Sequence, residues 1–514
     1  MGERSLKFKV AKGAAWVLAE KLSTQVIGLV VEIVLARLLT PNDYGIVALT
    51  LIFFTLANII VDGGFGTALI QKKDADELDF NSVFYLNIAL SLVAYSVLYF
   101  IAPLIAGFYN TPQLLKIIRV SAICVIFNAV SAVQNAELTR KMLFDRSFRV
   151  SLLAIAASGV CGVSMALLGF GAWSLVISSL VAGFVGMLSR WFIIAWRPKL
   201  IFSWQRLKPL FSYGWKMAVS SMLDSFFNQL SGLLIGKMYT KADLAFVNKG
   251  KMLPSVVMNE VDSTLARVSL PALVQRQDDT EALRVAMRRM IRCSTFLVFP
   301  MMVGVACCAR SIVLLLYGTR WLEAVPFMQL ACFSFALWPF HTINLRAIVV
   351  IGRSDMFLKL EILKKAISLV AMLISLQYGV LVFMCMTAFV VGPLGLVINS
   401  WPNRRLLGYS VEMQIRDVLP ALMICGIEAL VVTIIGYIYD SFVCSYVNTA
   451  GGGFTELIMI IGKLALQVLC GSVVYFSMAY YLRFEAFYEY MCMAQSLNCD
   501  RYGIIETIVR RFRQ

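Results

Sequence analysis

The chain has 514 residues, 60% of them apolar and 15% charged, with a mean hydropathy of +0.79 and a formal net charge of +16. Soluble globular proteins sit near 45–50% apolar and about 25% charged. The surplus excludes a water-soluble multidomain protein, because only lipid can cover that much apolar surface over this length.

A crossing helix needs about 20 mainly apolar residues to traverse roughly 30 Å of hydrocarbon. In chain order such stretches fall at 13–38, 44–66, 81–108, 114–136, 150–168, 172–195, 209–238, 242–268, 287–316, 324–349, 356–376, 379–400, 418–440 and 455–482. They predict an all-α polytopic membrane protein of about 14 transmembrane helices. They are too long for barrel strands, which run about 10 alternating residues. Turn chemistry separates them: Pro41-Asn42-Asp43, Asn110-Thr111-Pro112, Gly169-Phe170-Gly171, Gly318-Thr319 and Gly451-Gly452-Gly453.

Loop charge gives the orientation. The loops at 1–12, 71–80, 139–149, 195–208, 271–292, 351–359, 403–416 and 483–514 hold about 29 Lys or Arg, and the alternate loops hold about 3 (Lys237, Lys241 and Arg320). Positive residues stay in the cytoplasm, so both termini are expected there. The net charge then reflects basic loops facing an anionic inner leaflet, and membrane lipids are expected partners. Basic residues that alternate with spans form no nucleic-acid patch. Arg4, Lys7, Lys9 and Lys12 precede a stretch too long for a signal-peptide core. The 12 cysteines show no C-x-x-C pair. They read as small buried apolar residues, and neither a metal site nor a cofactor is expected. The single histidine, His341, reads as a packed or hydrogen-bonded residue in its span.

The two halves echo each other. Residues 33–47 read IVLARLLTPNDYGIV and residues 233–247 read LLIGKMYTKADLAFV, matching Thr40 to Thr240 and Asp43 to Asp243. Tyr109-Asn110-Thr111 pairs with Tyr317-Gly318-Thr319, and Gly171 with Gly379, at an offset of 208. The offset covers an even number of spans, which predicts two parallel six-helix lobes plus two C-terminal helices. The expected division is a cytoplasmic N-terminus at 1–12, a first lobe at 13–200 and a second lobe at 201–402. Appended spans follow at 403–482, then a cytoplasmic amphipathic tail at 483–514.

Polar residues inside spans usually face a cavity or a partner, since a charge in lipid costs several kcal/mol. In the first span Lys21, Gln25 and Glu32 share one narrow face at helical spacing with Gly28. In the seventh, Lys216, Asp224 and Asn228 do the same with Ser220 and Ser231. In the eighth, Lys251, Asn259 and Asp262 form a third stripe with Asn248 and Ser255, and Lys249 and Glu260 lie beside it. Arg346 adds a cation to the tenth span. These residues are the expected lining of a substrate cavity. Its cations suit a phosphate-bearing substrate. Glu32, Asp224, Glu260 and Asp262 suit coupling to H+ or Na+. There is no G-x-x-x-x-G-K-[ST], so ATP hydrolysis is not expected.

Several runs together resemble the Wzx/WzxC-like polysaccharide flippases of the MOP exporter superfamily, which also holds lipid II flippases and MATE drug exporters. These are Leu35-Ala36-Arg37-Leu38-Leu39-Thr40-Pro41-Asn42-Asp43-Tyr44-Gly45, Asp62-Gly63-Gly64-Phe65-Gly66, Arg197-Pro198, Leu233-Leu234-Ile235-Gly236, Asn248-Lys249-Gly250-Lys251, and Leu270-Pro271-Ala272-Leu273. The likeness covers most of residues 1–400. It implies a non-enzymatic, multi-pass protein of the bacterial inner membrane. Such a protein carries undecaprenyl-pyrophosphate-linked oligosaccharide outward by alternating access, alongside polysaccharide polymerase and export machinery. One departure stands out: Ser231 and Gly232 occupy places where similar members carry an acidic residue and an Asn. Two other functions fit a many-span chain. A MATE-like exporter of small cations would have a cavity dominated by carboxylates. A membrane-embedded glycan transferase or polymerase usually needs a large external loop with catalytic charges, but the loop at 440–455 has no Arg, Lys or Glu.

Overall fold

A computed structural model describes residues 3–72, 74–274, 279–447 and 453–496. Those residues are overwhelmingly helical. The long helices run in the expected order: α1 Glu3–Leu38, α2 Pro41–Ile70, α3 Glu77–Phe108, α4 Gln113–Arg140, α5 Phe144–Leu167, α6 Ala172–Ile193, α7 Trp204–Met238, α8 Lys241–Val274, α9 Thr280–Leu316, α10 Ala324–Val350, α11 Ser354–Ser375, α12 Val380–Leu407, α13 Val411–Val447 and α14 Gly453–Tyr481. A shorter helix, α15 (Glu485–Ser496), follows.

Each of the 14 expected stretches is helical, but among the described residues 10 helices are long and apolar enough to cross a membrane by composition. The other four are α1, α7, α8 and α11. They have 36, 35, 34 and 22 residues, so length does not disqualify them. All four carry charged residues along their length, among them Lys21, Glu32, Lys216, Asp224, Lys251, Asp262, Glu361 and Lys364. A helix this polar crosses lipid only if its charged face meets protein or water. Elsewhere large apolar side chains point outward, with Phe100 75% and Phe192 81% exposed, as a lipid-facing surface requires.

Contacts divide the chain into two compact units, Met1–Ala245 with Leu316–Arg320, and Phe246–Leu315 with Trp321–Gln514. In the first unit α5 packs along both α1 and α6. Small residues allow this: a methyl at Gly159 would fall 2.5 Å from Val31, and one at Gly162 would fall 2.9 Å from Ser178. In the second unit α13 and α14 are built into the main core. Val418, Ala421, Ile424 and Cys425 of α13 and Tyr475 and Ala479 of α14 cluster with Ile291, Phe296 and Phe299 of α9. The Tyr475 hydroxyl donates to the Phe296 carbonyl at 2.8 Å. At the start of α13, Asp417 accepts from Arg288, Arg292 and Tyr409. Helix α15 docks on α9 through Glu485 to Arg292 and Glu489 to Arg289. The remainder of the expected tail, 497–514, lies outside the described residues.

The sequence echo has a structural counterpart. Thr40 and Thr240 each cap the helix that follows. Asp43 Oδ2 accepts from the Thr40 hydroxyl at 2.6 Å, and Asp243 Oδ2 from the Thr240 hydroxyl at 2.7 Å. The reciprocal bonds, from the Asp43 and Asp243 amides to the threonine oxygens, measure 3.3 and 3.1 Å. Asn110 and Gly318, matched in the second echo, both adopt the left-handed backbone, with φ of 48° and 87°.

Candidate functional site

Site geometry begins with a break in α2. Gly63 and Gly64 take φ of 49° and 68°, which L side chains adopt at a cost, and the helix stops at Asp62 before resuming at Phe65. Helix α7 presses on the break. A methyl at Gly214 would lie 2.2 Å from the Gly63 carbonyl oxygen, and Phe211 stacks on Phe65 at 6.0 Å between centroids.

The break sets Asp62 beside Asn58, one turn earlier, on the wall of a cleft of about 450 Å3 inside the first unit. Helix α4 supplies the facing wall, with Asn128, Ser131, Asn135 and Thr139 at helical spacing. The Asn128 amide donates to Asn58 Oδ1 at 3.0 Å, and Asn58 Nδ2 donates to the Phe54 carbonyl at 2.9 Å. From α6, Arg190 Nε donates to Asn135 Oδ1 at 2.7 Å. Three amides, one carboxylate and one guanidinium thus converge from three helices.

Residues expected from the polar stripes occupy varied settings. On α1, Lys21 and Glu32 are half-buried and Gln25 is exposed. Their neighbour Glu20 accepts from Ser147 and Ser151 of α5 at 3.1 and 2.6 Å. On α7, Lys216, Asp224 and Asn228 are exposed. Helix α7 packs on α2 and α3 whereas α1 packs on α5, so the two stripes ride on different helix pairs. In the second unit Lys249 is buried, its ammonium 5.5 Å from the ring centre of the fully buried Trp321. Lys251 and Glu260 are half-buried and Asn259 is exposed. Asp262 meets Arg346 of α10 in an ion pair of 2.9 Å. His341 shares a hydrogen bond with Asn399 Nδ2 at 3.1 Å. A separate groove of about 690 Å3, walled by Phe299, Met302, Phe333, Phe389 and Leu422, is almost wholly apolar. Beside it, α12 widens to a π-turn at Thr387–Val391, just before Pro393, which has no N–H to donate.

The cleft residues were not among those expected. Asn58 and Asp62 are four apart on α2, and Asn128, Ser131, Asn135 and Thr139 form a stripe on α4. That periodicity is as regular as the stripe on α7. Uncharged amides, however, are weaker signals in a span than the Lys and Glu that mark α1, α7 and α8.

A family model described as polysaccharide biosynthesis protein matches residues 34–326, more than half of the chain. The chain belongs to this polysaccharide biosynthesis protein family. Among its relatives is the lipopolysaccharide biosynthesis protein WzxC of Escherichia coli strain K12, 24% identical over 64% of this chain and 67% of that protein. The teichuronic acid biosynthesis protein TuaB of Bacillus subtilis strain 168 is 21% identical over 82% of this chain and 86% of its own. The succinoglycan biosynthesis transport protein ExoT of Rhizobium meliloti strain 1021 is 26% identical over 63% and 66%. This family member shares its fold with the inward closed lipid II flippase MurJ. The TM-score is 0.66 at 13% identity, over 90% of this chain and 99% of that one. An inward-facing MATE multidrug resistance transporter of the MOP superfamily aligns with a TM-score of 0.56 at 17% identity, over 75% and 94%.

Proposed function

We propose that this polysaccharide biosynthesis protein is a flippase. It moves undecaprenyl-pyrophosphate-linked oligosaccharide from the cytoplasmic to the outer leaflet of the bacterial inner membrane by alternating access, supplying surface polysaccharide synthesis. The observation that carries this reading is the extent of the two fold matches. The lipid II flippase covers 90% of the chain, whereas the drug exporter covers 75% of it while matching 94% of its own length. The fold therefore follows the lipid flippase beyond the exporter-like portion. The relatives' names, which place one in lipopolysaccharide, one in teichuronic acid and one in succinoglycan synthesis, support a glycan as the cargo.

In this reading Lys21, Lys216, Lys249, Lys251 and Arg346 provide cations for the pyrophosphate. Gln25, Asn228 and Asn259 contact the glycan. Glu32, Asp224, Glu260 and Asp262 offer carboxylates for a coupling H+ or Na+, with Asp262 held by Arg346. The Lys and Arg asymmetry of the loops supports a topology with both termini in the cytoplasm. Polysaccharide polymerase and export machinery would take over the cargo on the far side.

Clean deletion of the gene tests the proposal. Surface polysaccharide should disappear while the lipid-linked unit builds up on the cytoplasmic face, and a plasmid copy should restore export. Normal surface polysaccharide after deletion would refute it.

A further inference from the structure

The cleft of the first unit is not used by the stripes on α1, α7 and α8, yet amide, hydroxyl, carboxylate and guanidinium groups line its walls. We propose that the cleft between α2, α4 and α6 is a glycan-recognition subsite, in which Asn58, Asn128, Asn135 and Asp62 hydrogen-bond the sugar hydroxyls of the cargo. This inference rests on the flippase reading and adds where, within the first unit, the sugars are recognised.

The chemistry of the walls selects the ligand. A carboxamide sets a donor and an acceptor side by side, which matches neighbouring hydroxyls on a sugar ring. Asn128 spends one N–H on Asn58, which leaves its other N–H and its oxygen to a ligand. Asn135 gives its oxygen to Arg190 and keeps its NH2 group. The Asp62 carboxylate accepts no hydrogen bond from the described residues and lies on the same wall. A phosphate would meet this carboxylate, and the guanidinium that would attract it already donates its Nε to Asn135. One acid and one base leave the cleft without net charge, so it favours neutral hydroxyl-bearing groups over either ion. Its volume, about 450 Å3, falls within the range of roughly 300–1,000 Å3 usual for small-molecule sites.

The cleft's position suits early recognition. Asp62, Thr139 and Arg190 lie towards the ends of α2, α4 and α6 that lead into the basic loops at 71–80, 139–149 and 195–208. By the loop asymmetry these ends face the cytoplasm, where the lipid-linked unit is made.

Binding to the full-length protein in detergent tests the inference. The probe is the phosphate-free oligosaccharide released by mild acid from the host's lipid-linked pool, with inorganic pyrophosphate as the contrast, and calorimetry reads affinity. The variants are Asn128→Ala, Asn135→Ser and Asp62→Asn, each checked for unchanged melting and membrane level. The conservative Asn135→Gln keeps the amide. The wild-type protein should bind the oligosaccharide, and each of the first three variants should weaken binding about tenfold, the loss of one or two ligand hydrogen bonds. Asn135→Gln should recover part of it, and pyrophosphate should not compete. Wild-type affinity in all of the folded variants, with export intact, would overturn the subsite while leaving the flippase reading standing. Competition by pyrophosphate would make the cleft an anion site and would also overturn it. Normal surface polysaccharide in the deletion strain would instead remove the flippase reading and the subsite with it.

Discussion

At the scale of single residues, the stripes give direct tests. Asp224→Ala on α7 and Lys251→Ala on α8 should each lower export about tenfold, the worth of one charge-assisted contact, with membrane levels of the protein unchanged. Export assays paired with immunoblots check this, and wild-type export in both variants would contradict it. Asp76 gives a pH test outside the membrane. Its carboxylate accepts from the Asp79 amide at 3.0 Å at the start of α3, and this backbone hydrogen bond, aided by the Arg206 charge, holds it below the usual carboxylate range. A group whose pKa is depressed in the folded state contributes stability above its unfolded value, about 3.9, and loses it as pH falls further. Asp76→Ala should therefore melt earlier at neutral pH by about 1 kcal/mol, and the gap should narrow below about pH 4. A gap that widens in acid would contradict this. The charged stripes were legible in the sequence because Lys and Glu are rare in spans. The amides of the cleft were not, because each helix shows only a few of them and their meeting is a tertiary fact. Asn128 and Asn58 are 70 positions apart when they bond.

Between elements, packing depends on places where a backbone has no room for a side chain. Gly214→Ala would push a methyl to 2.2 Å from the Gly63 carbonyl, so α7 or the break in α2 must shift. We expect a loss of about 2 kcal/mol in thermal melting. The same substitution should disturb the cleft, since the break positions Asp62. Asp417 anchors the start of α13. Asp417→Ala strands the Arg288 and Arg292 guanidiniums and should cost about 2–3 kcal/mol, the figure lowered because Arg288 is 45% exposed. Unchanged melting of either variant would contradict the packing described. The paired capping boxes were predictable, because Thr40, Asp43, Thr240 and Asp243 sit at capping spacing and the motif is local. The break in α2 was written in Gly63-Gly64, but its partner Gly214 was not, since close approach of two helices leaves no local pattern. The sequence also left α13 and α14 without a role. Their apolar residues carry no period that says which helix they meet, and it is the packing of Val418, Ile424 and Tyr475 and the ion pairs of Asp417 that join them to α9.

At the scale of the whole molecule, the claims are a topology and a cargo. A cysteine placed at the exposed Asn110 should react with an impermeant reagent added outside the cell, whereas one at the exposed Arg353 should react only after permeabilisation. The reverse pattern would overturn the orientation. Composition made the membrane assignment immediate, whereas the charged residues of α1, α7, α8 and α11 make those four helices less obvious as spans. In the proposed reading α1, α7 and α8 carry the pathway residues, since a pathway for a charged cargo cannot be lined by lipid-facing surface. Translocation itself is the most direct test. Purified protein in proteoliposomes, loaded with the host's undecaprenyl-pyrophosphate oligosaccharide, can be probed with a sugar-specific reagent that cannot cross the bilayer. Lipid-linked glycan protected in the inner leaflet should become accessible outside only when the protein is present, and more slowly with Asp224→Ala. Equal accessibility with and without the protein, in vesicles shown to be sealed, would contradict it.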